Sequence, residues 1–157
     1  MKWQDWLDKW GMTSLSINAG FLEMQWEPKV PDRKAAWELY VELLTRIATQ
    51  DLAPEEGDEM SALESVYSLF SLTRDTLRRN QGCGEFAKLA VVVLNQLIRP
   101  FTAKWHRLSL LGAFKKAARC REFRTELAAL QRELRQYTIM LADMAGVEDL
   151  TTLESRR

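Results

Sequence analysis

The chain has 157 residues, with 22 Lys and Arg balancing 22 Asp and Glu, one histidine and two cysteines. This length fits one domain with at most an appendage, and the 46% hydrophobic content excludes a chain that is disordered throughout. The neutral charge balance argues against a protein that binds nucleic acid over its whole surface. Two cysteines and one histidine do not supply a structural zinc site, so we expect neither a metal nor a cofactor.

The sequence predicts a cytoplasmic protein with reduced thiols. Asp5 and Asp8 lie where a secretory signal needs an apolar run. The longest apolar stretch, residues 89–94, is much shorter than the roughly 20 residues of a membrane span. We therefore expect no membrane span.

The N-terminal segment is rich in tryptophan: four of the six tryptophans fall within the first 26 residues. Residues 2–10 are typical of a short helix that ends at Gly11, with Trp3, Trp6 and Trp10 on one stripe. A helix this short is marginal alone in water. Its stripe must therefore dock on the body of the chain, on a partner protein or on a membrane surface.

The hydrophobic period changes to alternation over residues 14–27, where Leu15, Ile17 and Leu22 alternate with polar or small residues. Turn-forming residues at 18–20 separate the two runs. This pattern predicts a small β-hairpin, although an extended segment across the helices fits nearly as well.

Helical periodicity returns after Pro28 and Pro31, with Asp32 able to cap the next helix. Four helices are predicted, over residues 33–50, 59–80, from 85 onward and 116–145. We expect the third to be the most buried and Pro100 to kink or end it. The fold prediction is an all-α, antiparallel four-helix bundle. Residues 1–31 would form the Trp-rich segment, 32–146 the bundle and 147–157 a C-terminal tail.

The last predicted helix carries an uninterrupted heptad of apolar residues. These are Phe123, Leu127, Leu130, Leu134, Tyr137, Leu141 and Met144. Such a face is either the seam against neighbouring helices or a coiled-coil surface for a homodimer.

The only histidine, His106, lies seven residues after Arg99. If the helix continues through Pro100, both fall on one narrow polar stripe, which is either a solvent-facing line or a site that holds a phosphate and moves a proton. The Arg-x6-His spacing resembles that of HEPN domains, all-α bundles that include metal-independent endoribonucleases. The resemblance implies that His106 transfers protons and that Arg99 supports the RNA phosphate.

Positive charge is concentrated in residues 99–135, which contain ten Lys or Arg and three Glu. This basic region could contact nucleic acid, or it could pair with the chain's own acidic loop at residues 53–59 or with an acidic protein. The leading prediction is a non-enzymatic protein–protein interaction module, a small adaptor or subunit of a larger bacterial system such as phage defence. Trp and Arg dominate the energetics of many interfaces. The residues expected to contact the partner are Trp3, Trp6, Trp10, Arg119, Arg121 and Arg124. The alternative is an endoribonuclease that uses Arg99 and His106.

Overall fold

The structure, a computed structural model, describes residues 1–12, 14–46, 49–50, 52–53, 55 and 58–154. The helices are α1 (Trp3–Lys9), α2 (Ala19–Leu22), α3 (Val30–Leu44), α4 (Glu59–Tyr67), α5 (Leu69–Arg79), α6 (Gly84–Val93), α7 (Arg99–Leu110) and α8 (Ala117–Ala145). A π-helical turn (Leu94–Ile98) joins α6 to α7, and 3-10 turns cover Ala113–Lys115 and Thr151–Glu154. The described residues are mostly helical and form no β-strand. The all-α prediction is therefore confirmed, whereas the antiparallel four-helix bundle stays a prediction.

The longest helix, α8, lies at the centre of the molecule and makes its most extensive helix contact with α3. All seven residues of the heptad are at most 7% exposed. The third predicted helix, which we expect from the sequence to be the most buried element, is not covered on every side. Val91 of α6 is 44% exposed, because one side of this helix lies at the surface.

The chain passes through Pro100 without leaving the helix. Proline has no amide hydrogen and cannot bond the carbonyl of Gln96. Just before it, the backbone N–H of Arg99 donates to the carbonyl of Leu94, five residues back, which makes the wider π turn. The resulting helical run, Gly84–Leu110, has 27 residues and is long and apolar enough to cross a membrane by length and composition alone. Core helices of globular proteins also meet that test.

The buried face of α3 leaves out two large apolar residues that repeat at helical spacing in the sequence. Trp37 and Val41, which are spaced at three and four residues with Tyr40 and Leu44, are 45% and 40% exposed. The buried face is formed by Ala35, Ala36, Leu39, Tyr40 and Leu43. The two alanines carry little side chain, which lets a neighbouring helix approach closely. Residues 47 and 48, which the prediction included in this helix, lie outside the described residues.

The predicted hairpin over residues 14–27 is wrong. The side chain of Asn18 accepts a hydrogen bond from the backbone N–H of Gly20 at 2.8 Å and caps the single helical turn α2. An isolated antiparallel bridge instead pairs Lys2 with Gln25. The remainder of the segment is irregular and packs Leu15 and Ile17 against the core.

A buried carboxylate, Asp32, links the beginnings of two helices. Its Oδ2 accepts the backbone N–H of Lys29 at 2.8 Å in the first turn of α3. Its Oδ1 accepts the backbone N–H of Phe86 at 3.0 Å in the first turn of α6. Asp32 is only 1% exposed, and it satisfies donors at two helix N-termini, of which the one on Phe86 is buried. The sequence predicts Asp32 as the cap before a helix that begins at residue 33, but α3 begins at Val30 and Asp32 caps it from within its first turn. Asp32 also fixes α6 beside α3.

Candidate functional site

The tryptophan stripe of α1 docks on the body of the chain, which was one of the three predicted alternatives. Trp3 and Trp6 are fully buried. The Nε1 of Trp3 donates to Glu85 at 2.6 Å, and that of Trp6 donates to Asp143 at 2.7 Å. Trp10 is half-buried, and its Nε1 donates to the same Asp143 at 3.3 Å.

This burial corrects the expectation that the stripe contacts a partner. A second protein could reach Trp3 or Trp6 only if α1 first left the core. The two indoles are also held by carboxylates of distant helices, so their removal would cost charge-assisted hydrogen bonds as well as apolar burial. These tryptophans therefore serve the fold in this conformation.

The heptad face of α8 is likewise covered by the chain's own helices. Phe123, Leu134 and Leu141 are fully buried, and burial raises the pKa of the Tyr137 phenol. The face is the seam between helices. It is not open to a second copy of the chain in this conformation.

The basic region is partly neutralised within the molecule. The Nε of Arg124 donates to Glu59 at 3.1 Å, and its Nη1 donates to the carbonyl of Ala53 at 2.9 Å. With a side chain that is only 20% exposed, Arg124 ties α8 to the start of α4. Its predicted place in a partner-contacting face is therefore corrected to a largely internal role.

Arg119 and Arg121 differ from Arg124 because both are exposed. Arg119 pairs with Glu122 at 2.7 Å within α8, and this hydrogen bond is the largest cause that lowers the pKa of the Glu122 carboxyl. Exposed pairs of this kind contribute little to stability. Arg119 can therefore exchange Glu122 for another carboxylate at small cost.

An exposed apolar tip lies between α7 and α8. Leu110 and Leu111 are 88% and 70% exposed. Gly112, with a φ of 81°, turns the chain immediately after them, a conformation that glycine adopts without steric strain. The exposed cations of the surrounding segment are Arg107, Lys115, Lys116, Arg119 and Arg121. We call these five cations and the two leucines the leucine tip.

Sequence reasoning identified the cations of the leucine tip as part of the basic region and missed its leucines. The available signal was the pair Leu110–Leu111 directly before Gly112 in a predicted connection.

The second surface feature is a cleft between α7 and the α4–α5 pair, and it contains both residues of the Arg-x6-His spacing. The cleft has a volume of about 200 Å³. Its lining includes Tyr67, Phe70, Arg74, Arg99, Thr102 and His106. We call it the basic cleft. Arg74 is the member that sequence reasoning missed, because it comes from a helix distant in sequence.

Aromatic rings hold the two predicted residues of the basic cleft. The guanidinium carbon of Arg99 lies 4.9 Å from the centre of the Phe70 ring, and its Nε donates to Asn95 at 3.2 Å. The ring of His106 meets that of Tyr67 edge to face at 4.9 Å. The structure therefore brings Arg99 and His106 to one cleft, and it adds a second arginine and a phenol.

Neither cysteine has the surroundings of a reactive thiol. Cys83, which lies between two glycines in the sequence, is 5% exposed, and burial raises the pKa of its thiol. Burial also raises the pKa of Cys120, whose Sγ donates to the carbonyl of Phe114 at 3.3 Å. In the described ranges no three His, Cys, Asp or Glu side chains cluster in a way that could hold a metal ion.

Comparison with known proteins gave no match to this chain among protein-family models, curated proteins or solved structures.

Proposed function

We propose that this protein is a non-enzymatic interaction module, a small cytoplasmic adaptor or subunit that binds another protein through the leucine tip. One observation carries this proposal, the near-complete exposure of Leu110 and Leu111 at a turn. Contiguous exposed apolar surface that is rimmed by polar residues is typical of interaction sites. The tip thus replaces the buried tryptophan stripe as the apolar part of the proposed contact.

The leucines would supply much of the binding free energy. Complete burial of one leucine side chain contributes about 1.5–3 kcal/mol. Two leucines that enter a partner's pocket would therefore contribute on the order of 3–6 kcal/mol before the cost of association is subtracted. A contact of this size is sufficient for a specific complex only if the residues around the two leucines also complement the partner's surface.

The charge around the tip indicates what those surroundings are. Residues 107–121 contain five Lys or Arg and no Asp or Glu. We therefore propose a partner that presents an apolar groove rimmed by carboxylates. Complementary charge of this kind raises the association rate and fixes the orientation of the complex more than it raises affinity.

The test is a pull-down of the tagged protein from its native cells, with half of each sample treated with nuclease before mass spectrometry. We expect a stoichiometric protein partner that survives nuclease treatment. The double variant Leu110→Ser/Leu111→Ser should lose it. The variant Leu153→Ser is the matched control, since Leu153 is 75% exposed but lies after α8.

Two results would contradict the proposal. Equal recovery of the partner by the double variant would show that the tip is not the contact. Loss of all partners on nuclease treatment would show that nucleic acid holds the complex together. Purified partner, titrated at two salt concentrations, would then test the charged rim, because screening weakens contacts between exposed charges.

A second candidate function is the endoribonuclease implied by the resemblance to HEPN domains. The observation that favours it is the shared position of Arg99 and His106 in the basic cleft. In this reading His106 transfers a proton while Arg99 stabilises the charge on the phosphate. Cleavage of a labelled RNA with a chelator present should be abolished in His106→Ala, whereas partner binding through the leucine tip should not change.

A further inference from the structure

The basic cleft has the composition of an anion site. Two arginines from different helices, Arg74 on α5 and Arg99 on α7, line the same 200 Å³ space. No carboxylate is among its described lining residues. Within the described part of the chain, neither arginine forms an ion pair within 4.0 Å. Their charge is therefore directed toward solvent in the cleft.

Arg99 is positioned before any ligand binds. The ring of Phe70 lies under its guanidinium group, and Asn95 accepts a hydrogen bond from its Nε. Neither contact uses the hydrogen-bond donors on Nη1 and Nη2. Because a guanidinium with a fixed orientation loses less entropy on binding, this arginine is suited to hold a planar pair of oxygen atoms.

The aromatic side of the cleft adds a second kind of contact. Tyr67 is 53% exposed, and its ring meets that of His106 edge to face. An exposed aromatic ring beside arginines is the combination that proteins use to bind a nucleobase and its phosphate together. Bases stack on such a ring with little dependence on sequence.

We propose that the basic cleft binds a nucleotide, with its phosphate between Arg74 and Arg99 and its base against Tyr67. This inference goes beyond the proposed interaction function. It uses the same cleft as the second candidate but requires no bond cleavage, so it survives if the protein proves unable to cut RNA. The nucleotide could be free or could be the phosphorylated end of an RNA, since both present the same groups.

The experiment uses His106 as a reporter. Because it is the only histidine, its imidazole protons give isolated signals in the proton NMR spectrum of the intact protein. The probes are adenosine monophosphate, inorganic phosphate and adenosine, each added at constant ionic strength. We expect saturable shifts with the monophosphate, weaker binding of inorganic phosphate, and the weakest binding of adenosine, which lacks the phosphate.

Substitutions then locate the site. Arg74→Gln and Arg99→Gln should each weaken binding of the monophosphate about tenfold, as expected for the loss of a charge-assisted contact. Arg78→Gln is the matched control, since Arg78 is exposed on the same helix as Arg74 but lies outside the cleft. Tyr67→Ala should weaken binding of the monophosphate and leave inorganic phosphate unchanged.

Each result of these experiments has a different meaning for the nucleotide proposal. If Arg78→Gln loses as much affinity as Arg74→Gln, binding reflects general charge and the proposal is wrong. If the monophosphate shifts the His106 signals no more than chloride does, the cleft holds no nucleotide. An RNA octamer with a 5′ phosphate that binds more than tenfold tighter than the monophosphate would identify RNA ends as the source, and equal binding would identify the free nucleotide. Circular dichroism of each variant checks its fold, and Arg99→Lys preserves the charge if Arg99→Gln does not fold.

Discussion

Replacement of Asp32 by alanine should destabilise the protein more than the loss of one helix cap would, because this carboxylate caps two helices. The change removes the acceptor for the backbone N–H of Lys29 at 2.8 Å and for that of Phe86 at 3.0 Å. Water can replace the first, since Lys29 is exposed. It cannot readily reach the second, whose partner Phe86 is fully buried.

The magnitude follows from these two environments. A hydrogen bond to a charged group contributes about 1.5–3 kcal/mol, and a buried donor without a partner costs a further desolvation penalty of about 1–3 kcal/mol. We therefore expect Asp32→Ala to lower the free energy of unfolding by roughly 3 kcal/mol. For a chain of this length that corresponds to a fall in Tm of about 6–12 °C.

Urea unfolding followed by circular dichroism measures this change as a shift in midpoint at constant slope. Asp32→Asn keeps one acceptor oxygen in place and should lose about half as much stability. Asp5→Ala is the matched control, because Asp5 accepts the backbone N–H of Lys2 at 3.1 Å in an exposed first turn. Its loss should cost about 0.5–1 kcal/mol. If Asp32→Ala costs no more than Asp5→Ala, the buried double cap is not a major source of stability.

Three further expectations follow from buried or capping groups. Trp6→Phe should lower the free energy of unfolding by about 2 kcal/mol more than Trp105→Phe does. The reason is that the Nε1 of Trp6 donates to a carboxylate, whereas the buried Nε1 of Trp105 has no acceptor in the described part of the chain. Equal urea midpoints for the two variants would contradict this. Cys83 should resist alkylation by iodoacetamide at about pH 8 in the folded protein and react after unfolding, since burial raises its pKa; mass spectrometry would detect a fast reaction that refutes it. The backbone N–H of Ser61 donates to Asp58 and lowers the pKa of that carboxyl below its ordinary 3.8. The ionised Asp58 therefore stabilises the folded protein fully above this ordinary pKa, and the stabilisation is lost as pH falls through the lower pKa of the folded state. The urea midpoint of Asp58→Asn should therefore fall less between about pH 5 and about pH 3 than that of the unsubstituted protein, and parallel profiles would rule this out.

The periodic parts of the fold could be predicted from the sequence. The heptad from Phe123 to Met144 identified the central seam correctly, because three- and four-residue spacing of large apolar residues has few other solutions. The ends of α1 and α8 were also predictable, since Gly11 and Gly146 take positive φ values of 68° and 71°. These elements depend on local rules and on burial of one unbroken face.

The parts that failed depend on contacts between distant segments. Periodicity alone could not decide which side of α3 is buried, because Trp37 and Val41 repeat as regularly as Leu39 and Leu43 do. The two alanines of this helix allow a neighbouring helix to pack closely on their side of α3, but the sequence does not show which helix packs there. The place of Arg74 in the basic cleft was missed for the same reason, since no local signal in the sequence shows that α5 and α7 line one cleft.

The cleft also depends on the π turn, which shifts the register of the helix before Arg99. A π turn contains one residue more than the α-helical turn it replaces. Uniform steps of 100° per residue therefore do not give the correct angular relation between residues on opposite sides of the turn. Arg99 and His106 both follow the turn, so their mutual position could be predicted correctly.

The hydrogen bond between Trp6 and Asp143 has a consequence for the order in which the molecule is assembled during synthesis. The two residues are 137 positions apart in the chain. At ribosomal rates of about 5–20 residues per second, Asp143 is made roughly 7–27 s after Trp6. Throughout that interval the indole of Trp6 lacks its Asp143 acceptor, although Trp26, on which its ring stacks, is already present. The contact that ties Trp6 to α8 therefore forms only after almost all of the intervening chain has been made, so the docking of α1 on α8 is a late step of folding.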